Sequence, residues 1–276
     1  MLYLDAFAIH FGQPELKPAL SLSIVSHKQI TLVAQLLENV RDYCKDDAIE
    51  LVLTLNSPEE LPFDEQDYPF PLRIIRNPSP QGFGENHNQA FEQSRGDFFC
   101  VLNPDIRIQG NVFRALLQVL DDDPGIGLAA PQVANPEGGI EDSARFFPPP
   151  LEILGKAFGR GSRRYPGAGI VSFPDWVAGM FMVFPSRVFR EIGGFDARYF
   201  LYYEDVDLCA RLQTHGYRIA LCRNISVVHD AQRASHRNFK YLRWHAASML
   251  RFFMSPAYRA VRRRNHWKLG EQGSEQ

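Results

Sequence analysis

Four short aliphatic segments, set apart by helix-length amphipathic text, constrain this chain more than any other feature. Leu20 to Ser26, Ile49 to Leu55, Leu72 to Arg76 and Phe98 to Leu102 are each mostly apolar on both faces, as fully buried strands are. After the first, Leu32, Val33, Leu36, Leu37, Val40 and Tyr43 recur at helical spacing. Strands alternating with helices in this way predict βαβ units and a mainly parallel sheet flanked by helices, an α/β architecture. With 276 residues, 45% of them hydrophobic, the chain has ample material for one large, well-buried domain.

Further along, Asn111 is a predicted N-cap for a helix through Phe113, Leu116, Leu117 and Leu120, ended by Asp121 to Gly125. Ile126 to Val133 reads as another strand. From Ala134 to Pro174 the text is rich in Gly and Pro, so regular structure should be sparse; long loops of this kind are often lids. Strand character resumes over Trp176 to Phe184, followed by a short helix over Ser186 to Ile192 and a longer one over Glu204 to His215, closed by Gly216. Ile225 to Val228 is strand-like.

Cys44, Cys100, Cys209 and Cys222 are scattered, with no close pair of the zinc or redox kind, which points to a reducing compartment. The N-terminus lacks the pattern of a signal peptide, and no stretch approaches the roughly 18 uninterrupted apolar residues that span a bilayer. A cytoplasmic protein, or one lying peripherally on the inner face of the cytoplasmic membrane, is the expectation.

Four places could carry chemistry. Asn103-Pro104-Asp105 puts a carboxylate just past the end of a buried strand, where open α/β sheets bind ligands and where a carboxylate-held cation could neutralise a departing diphosphate. Gly82-Phe83-Gly84 precedes helical text and would let a ligand approach the backbone at a helix N-terminus. It is no dinucleotide fingerprint, because His87 stands where that motif needs its last glycine. Glu204, Asp205 and Asp207 follow the aromatic run Tyr199, Phe200, Tyr202 and Tyr203; a carboxylate shielded by these rings would have a raised pKa and suit a general base, though periodicity leaves open which acid it is. His229, at a strand end, could complete a metal site if a neighbouring group holds its other nitrogen, and Asp230 stands beside it as a possible partner.

In order and spacing, these segments resemble the family-two inverting glycosyltransferases of the GT-A fold, a Rossmann-like sheet flanked by helices, and within them the rhamnosyltransferase-like branch. The resemblance runs from about Leu20 to about Ser235 and rests on Leu22-Ser23-Ile24-Val25-Ser26, Gly82-Phe83-Gly84 with Asn88, and Gly96-Asp97 leading into Leu102-Asn103-Pro104-Asp105. It also rests on Trp176-Val177-Ala178-Gly179, and on Gly193-Gly194-Phe195-Asp196 followed by Tyr203-Glu204-Asp205-Val206-Asp207. The resemblance implies a divalent cation, magnesium or manganese, held by Asp105 with His229, and Asp205 as general base with Glu204 as its acidic neighbour. It further implies Ser26 and Asn56 at the nucleoside, Asn103 beside the donor, and Trp176 and Gly179 where donor sugar and acceptor meet. The family commonly carries an aspartate at the end of the second strand to bind the base; this chain has Leu55 followed by Asn56.

The implied reaction moves a sugar, L-rhamnose from dTDP-rhamnose in the branch resembled, onto a hydroxyl of a cell-envelope glycan or polyprenyl-linked acceptor. The alternative is a catalytically inactive GT-A domain acting as a membrane-associated binding or assembly subunit. We expect a catalytic domain over residues 1–235, with a nucleotide-binding half over about 20–110 and an acceptor half over about 111–235. Residues 236–276 would form a basic, amphipathic helical tail. No Asp or Glu occurs from Ala231 through Gly270, while Arg237, Lys240, Arg243, Arg251, Arg259, Arg262, Arg263, Arg264 and Lys268 interleave with aromatics. Such a segment suits an anionic membrane surface, or else packs as a helix on its own domain. No nucleic-acid motif accompanies the charge.

Overall fold

The structure, a computed structural model, describes residues 17–147, 165, 169–230 and 239–263. The four predicted strands form with the expected bounds: β1 (Leu20–Ser26), β2 (Ile49–Leu55), β3 (Leu72–Arg76) and β4 (Phe98–Leu102). Between them lie helices α1 (Ile30–Cys44) and α2 (Phe83–Glu92). The chain continues through β5 (Ile106–Arg107), α3 (Val112–Asp122), β6 (Ile126–Ala134), β7 (Ala144–Arg145), β8 (Val171–Ser172), β9 (Trp176–Val177) and β10 (Phe181–Pro185). It ends with α4 (Ser186–Glu191), α5 (Glu204–Thr214), β11 (Arg218–His229) and α6 (Phe239–Met254).

The main sheet runs in the order β3-β2-β1-β4-β10-β6-β11-β5, with β8 also on β11. β1 through β4 are parallel, β6 pairs parallel with β11, and β10 runs antiparallel to both β4 and β6. The mainly parallel sheet predicted from the alternation is therefore present, with one reversed central strand. Side-chain alternation on β4 and β10 divides the core in two. Cys100, Leu102, Phe181 and Val183 face α1 and α3, whereas Phe99, Val101, Met182 and Phe184 face α4, α5 and α6.

Three local readings change. The α1 stripe buries Leu32, Val33, Leu36, Leu37 and Val40, but Tyr43 is exposed and Cys44 turns inward, four residues being the better step from Val40. β1 is apolar on one face only: Ser21 and Ser23 point to the other and are buried against Glu50 and His87, the Ser23 hydroxyl lying 2.7 Å from His87 Nδ1. The stretch Trp176 to Phe184 is broken into β9 and β10 by a turn at Ala178–Met180, and that turn reaches the site below. Asn111 caps α3 by accepting from the Arg114 N–H at 3.2 Å, and Gly216 ends α5 with φ of +89°. Of the loop from Ala134 to Pro174, residues 148–164 and 166–168 lie outside the described residues; the rest holds the short β7 and β8 and a single bridge between Ala134 and Ile140.

Candidate active site

The end of β4 sets up one half of the site. Past Leu102 the Asn103 N–H donates to the Met180 carbonyl at 2.9 Å, and Pro104 stiffens the turn that delivers Asp105. The two-residue β5 then pairs with the end of β11, Ile106 opposite His229, and the Asp230 N–H donates to the Asp105 carbonyl. This register lays two residues far apart in sequence side by side: His229 Nε2 is 3.2 Å from Asp105 Oδ2. The other ring nitrogen, Nδ1, lies 2.8 Å from Glu141 Oε2. The partner that holds His229 is thus Glu141 and not Asp230, whose backbone goes to Asp105. Hydrogen bonding to Asp105 raises the His229 pKa to about 9, burial opposing and Glu141 adding to the rise.

Asp105 Oδ1 is buried and makes no hydrogen bond, an orphaned acceptor of the kind a cation satisfies. Among the described residues no group of three His, Cys, Asp or Glu is arranged to hold a metal, and the two carboxylates at His229 sit on opposite nitrogens of its ring. Asp105, and His229 once a metal displaces the proton that its Nε2 shares with Asp105, would be two protein ligands for a magnesium- or manganese-type ion that keeps waters and takes its remaining oxygens from substrate phosphates.

The second half is built on the turn before β10. The Gly179 N–H donates to Asp205 Oδ2 at 3.0 Å, and the Val206 N–H donates to Oδ1 at 2.8 Å. Gly179 and Met180 are consecutive, so one stretch of backbone ties Asp205 to the Asn103-Pro104-Asp105 turn. A Cβ at Gly179 would lie 3.3 Å from the Phe83 ring and 3.5 Å from Asp205 Cβ, which places α2's first residue against the same turn. Sequence-distant Asp105 and Asp205 are therefore brought to one edge of the sheet.

Burial raises the Asp205 pKa, and the hydrogen bonds from Val206 and Gly179 oppose the rise. Glu204 is raised further, by burial and then by Asp205, and its Oε2 has no partner. Asp207 is committed elsewhere: Arg211 Nε donates to it at 2.8 Å, and the Tyr199 hydroxyl lies at 3.4 Å. The α5 N-terminus is entered through Tyr202 and Tyr203, both left-handed at φ of 69° and 65°. Non-glycine residues in that region cost about 1–3 kcal/mol each and persist only where their surroundings hold them. Here the hold comes from both sides, since the Phe83 N–H donates to the Phe200 carbonyl at 2.9 Å and the Ser248 hydroxyl donates to the Leu201 carbonyl at 2.9 Å.

The remaining candidates are placed as follows. Ser26 donates to Glu59, at 2.9 and 3.0 Å to its two oxygens, and the same carboxylate accepts from the Lys28 and Ile30 N–H groups at the start of α1. Asn56 accepts from Asn77 and from the Gln81 N–H and donates to the Gln81 carbonyl, pinning the loop that leads into α2. Gly82 and Gly84 do permit a close approach, but it is the protein's own. A Cβ on Gly82 would stand 2.9 Å from the Phe200 carbonyl oxygen, and one on Gly84 2.5 Å from Phe195 Cβ. Asn88 uses both ends of its amide on the backbone of Phe195, each at 2.8 Å, which joins α2 to the segment before α5. Trp176 donates from its indole to the Phe146 carbonyl at 3.1 Å and carries the Arg145 guanidinium over its ring at 5.4 Å. Arg145 sits opposite Trp176 in the β7–β9 pair, and its charge favours ionised Asp205.

Three contributors escaped the sequence reading: Glu59, Glu141 and Arg145. Glu59 stands four residues beyond β2, past Leu55, and a search for an acid at that strand end stops one turn too early. Glu141 and Arg145 lie in the Gly- and Pro-rich stretch, where no periodicity marks a residue as facing inward.

Solved structures share the arrangement of sheet and helices. GalNAc-T7 with UDP, GalNAc and Mn2+ superposes with a TM-score of 0.61 at 16% identity, over 79% of this chain and 44% of that one. The mannosyltransferase PcManGT from Pyrobaculum calidifontis, in complex with GDP-Man and Mn2+, gives 0.57 at 15% identity, over 89% and 65%. S. aureus TarS 1-349 in complex with UDP-GlcNAc gives 0.60 at 11%, over 86% and 67%. The fold is thus that of the GT-A glycosyltransferases. Within that class, the model for "Glycosyl transferase family 2" matches residues 21–179 and that for "Glycosyl transferase family group 2" matches residues 162–273, and the chain belongs to glycosyl transferase family 2. Its relatives include the rhamnosyltransferase WbbL of Escherichia coli K12, 27% identical over 241 residues, covering 83% of this chain and 90% of that protein. They also include the N-acetylglucosaminyl-diphospho-decaprenol L-rhamnosyltransferase of Mycobacterium tuberculosis, 29% identical over 168 residues, of whose length this chain spans only 54%.

Proposed function

We propose that this glycosyltransferase transfers a hexosyl group, L-rhamnose from dTDP-rhamnose, to a hydroxyl of a lipid-linked or cell-envelope glycan in a single displacement that inverts the anomeric centre. The observation that carries the reading is the backbone tie at Gly179–Met180, which joins Asp205 to the Asn103-Pro104-Asp105 turn. The names of the rhamnosyltransferase relatives support the choice of sugar, and the decaprenol-linked substrate in one of those names supports the acceptor class.

In this reading Asp205 takes the acceptor proton on Oδ1 or Oδ2 as the hydroxyl oxygen attacks the anomeric carbon and the bond to the diphosphate breaks. Burial makes Asp205 more basic than an exposed carboxylate, while the two backbone N–H donors keep its oxygens aimed. Arg145, over Trp176, places a positive charge that favours the ionised form of Asp205 against the effect of burial. A divalent cation held by Asp105 and His229 would supply Lewis-acid stabilisation of the leaving diphosphate. Glu141 orients the His229 ring, and Asn103, hydrogen-bonded to Met180, holds the turn beside the donor.

The test is direct. Purified protein, a panel of nucleotide sugars and magnesium or manganese should release nucleoside diphosphate with one donor, and dTDP-rhamnose should be that donor. Metal-dependent nucleotide binding with no release from any donor would favour the inactive binding subunit instead.

A further inference from the structure

Helix α6 has two faces with different occupants. Its inner face is part of the core: Phe252 is fully buried, Trp244 stacks on Phe200 at 4.5 Å, His245 packs edge-on against Tyr202 and Tyr203, and Ser248 donates to Leu201. Every one of those partners belongs to the segment from Phe200 to Tyr203, the left-handed strap that immediately precedes Glu204 and Asp205. The outer face carries exposed apolar side chains. Leu242, Leu250 and Met254 are 64%, 61% and 69% exposed, and with Ala246 they form a line at successive i, i+4 positions. At roughly 100° per residue this stripe lies on the side of the helix away from Ser248 and Phe252.

Charge selects the occupant of that stripe. Arg243 stands within it, and Arg259, Arg262 and Arg263 are exposed on the helical residues 256–263 that follow. The sequence offers no Asp or Glu from Ala231 through Gly270. A second copy of the chain docked symmetrically would set Arg243 against like charge with no acid on either face to relieve it. An anionic bilayer accepts both components, since the apolar stripe enters the acyl boundary and the arginines meet lipid phosphates.

We propose that the outer face of α6 docks on an anionic membrane surface through Leu242, Leu250 and Met254, and that docking braces the strap that presents Asp205. Only its link to a lipid-borne acceptor rests on the transfer reading; docking and bracing do not. The strap is gripped on one side by α2, through Phe83, and on the other by α6. Restraining α6 at a bilayer therefore restrains the entry to α5.

Co-sedimentation of the full chain with vesicles of phosphatidylglycerol and phosphatidylcholine tests the docking. The protein should pellet with the anionic mixture, should stay in solution with phosphatidylcholine alone, and should be released by salt. The triple variant Leu242→Glu, Leu250→Glu, Met254→Glu should keep its melting temperature, because all three side chains are solvent-exposed, and should bind at least tenfold more weakly. Hydrogen exchange tests the bracing without any turnover: amides of Phe200 to Tyr203 should exchange more slowly on anionic vesicles in the wild type and be unaffected by vesicles in the triple variant. Undiminished vesicle binding by the triple variant, equal binding to neutral vesicles, or a wild-type dimer that the variant turns monomeric would overturn the docking. Binding with no protection of the strap would overturn the bracing.

Discussion

Gly179 and Asp205 are joined by a single backbone hydrogen bond of 3.0 Å, and that bond connects the acid at the start of α5 to the turn where β4 ends. An amide in place of the carboxylate keeps one acceptor, for the Gly179 N–H, but turns an NH2 towards the Val206 N–H that Oδ1 accepts in the wild type. Asp205→Asn should keep the wild-type circular dichroism spectrum and melt a few degrees lower. Its rate of nucleoside diphosphate release should fall by about 10²–10⁴-fold, the usual contribution of a positioned base. Retained turnover would remove Asp205 from that role.

Glu204 gives a stability prediction with a definite sign. Its folded pKa is raised by burial and by Asp205, so the folded chain favours the protonated acid. The stability this contributes is complete below the ordinary glutamate value near 4.5 and is lost as pH rises above it. Glu204→Gln is neutral at every pH and should therefore raise the melting temperature at pH 8 by more than at pH 4.5. An increase that is the same at both pH values would contradict the burial argument.

His87 acts in the opposite sense. It is enclosed by Ser23, Phe83 and Phe195, and burial lowers its pKa from 6.5 to about 3. The unfolded chain takes up a proton near 6.5 that the folded chain refuses, so stability is lost as pH falls from 6.5 towards 3. The contribution has a slope of at most about 1.4 kcal/mol per pH unit. Urea midpoints measured across that window should fall less steeply in His87→Phe than in the wild type.

Glu141 should matter without touching substrate. It holds the ring nitrogen of His229 that faces away from Asp105, and partners of this kind typically change metal affinity or activity by about 10- to 100-fold. Calorimetry of manganese with nucleoside diphosphate should show such a loss in Glu141→Gln, and binding measured with chelator present should be unchanged.

Gly84→Ala provides a packing control. The added methyl would fall 2.5 Å from Phe195 Cβ, on a side chain wedged among Phe83, His87 and Phe189, so little relief is available. Overpacking of this sort costs about 1–3 kcal/mol. A variant as stable as the wild type would mean that the Phe195 segment moves freely, which the two hydrogen bonds it shares with Asn88 argue against.

The amino-acid sequence by itself determined the first four strands, the helix between the first two, and the positions of Asp105 and Asp205 at element ends. Those features are local, because aliphatic runs, helical periodicity and turn residues act over a few residues. Only the tertiary structure decided what each candidate touches. That His229 is held by Glu141 across 88 residues depends on the pairing of β6 with β11 and on the Glu141 N–H turning back to the Val133 carbonyl. That Gly82 and Gly84 make room for Phe200 and Phe195 depends on how α2 meets the segment before α5. That Asp207 is tied to Arg211 whereas Asp205 faces Gly179 depends on where α5 begins, after two left-handed tyrosines that no propensity favours. Contacts between distant segments are chosen by packing, and packing is a property of the whole chain at once.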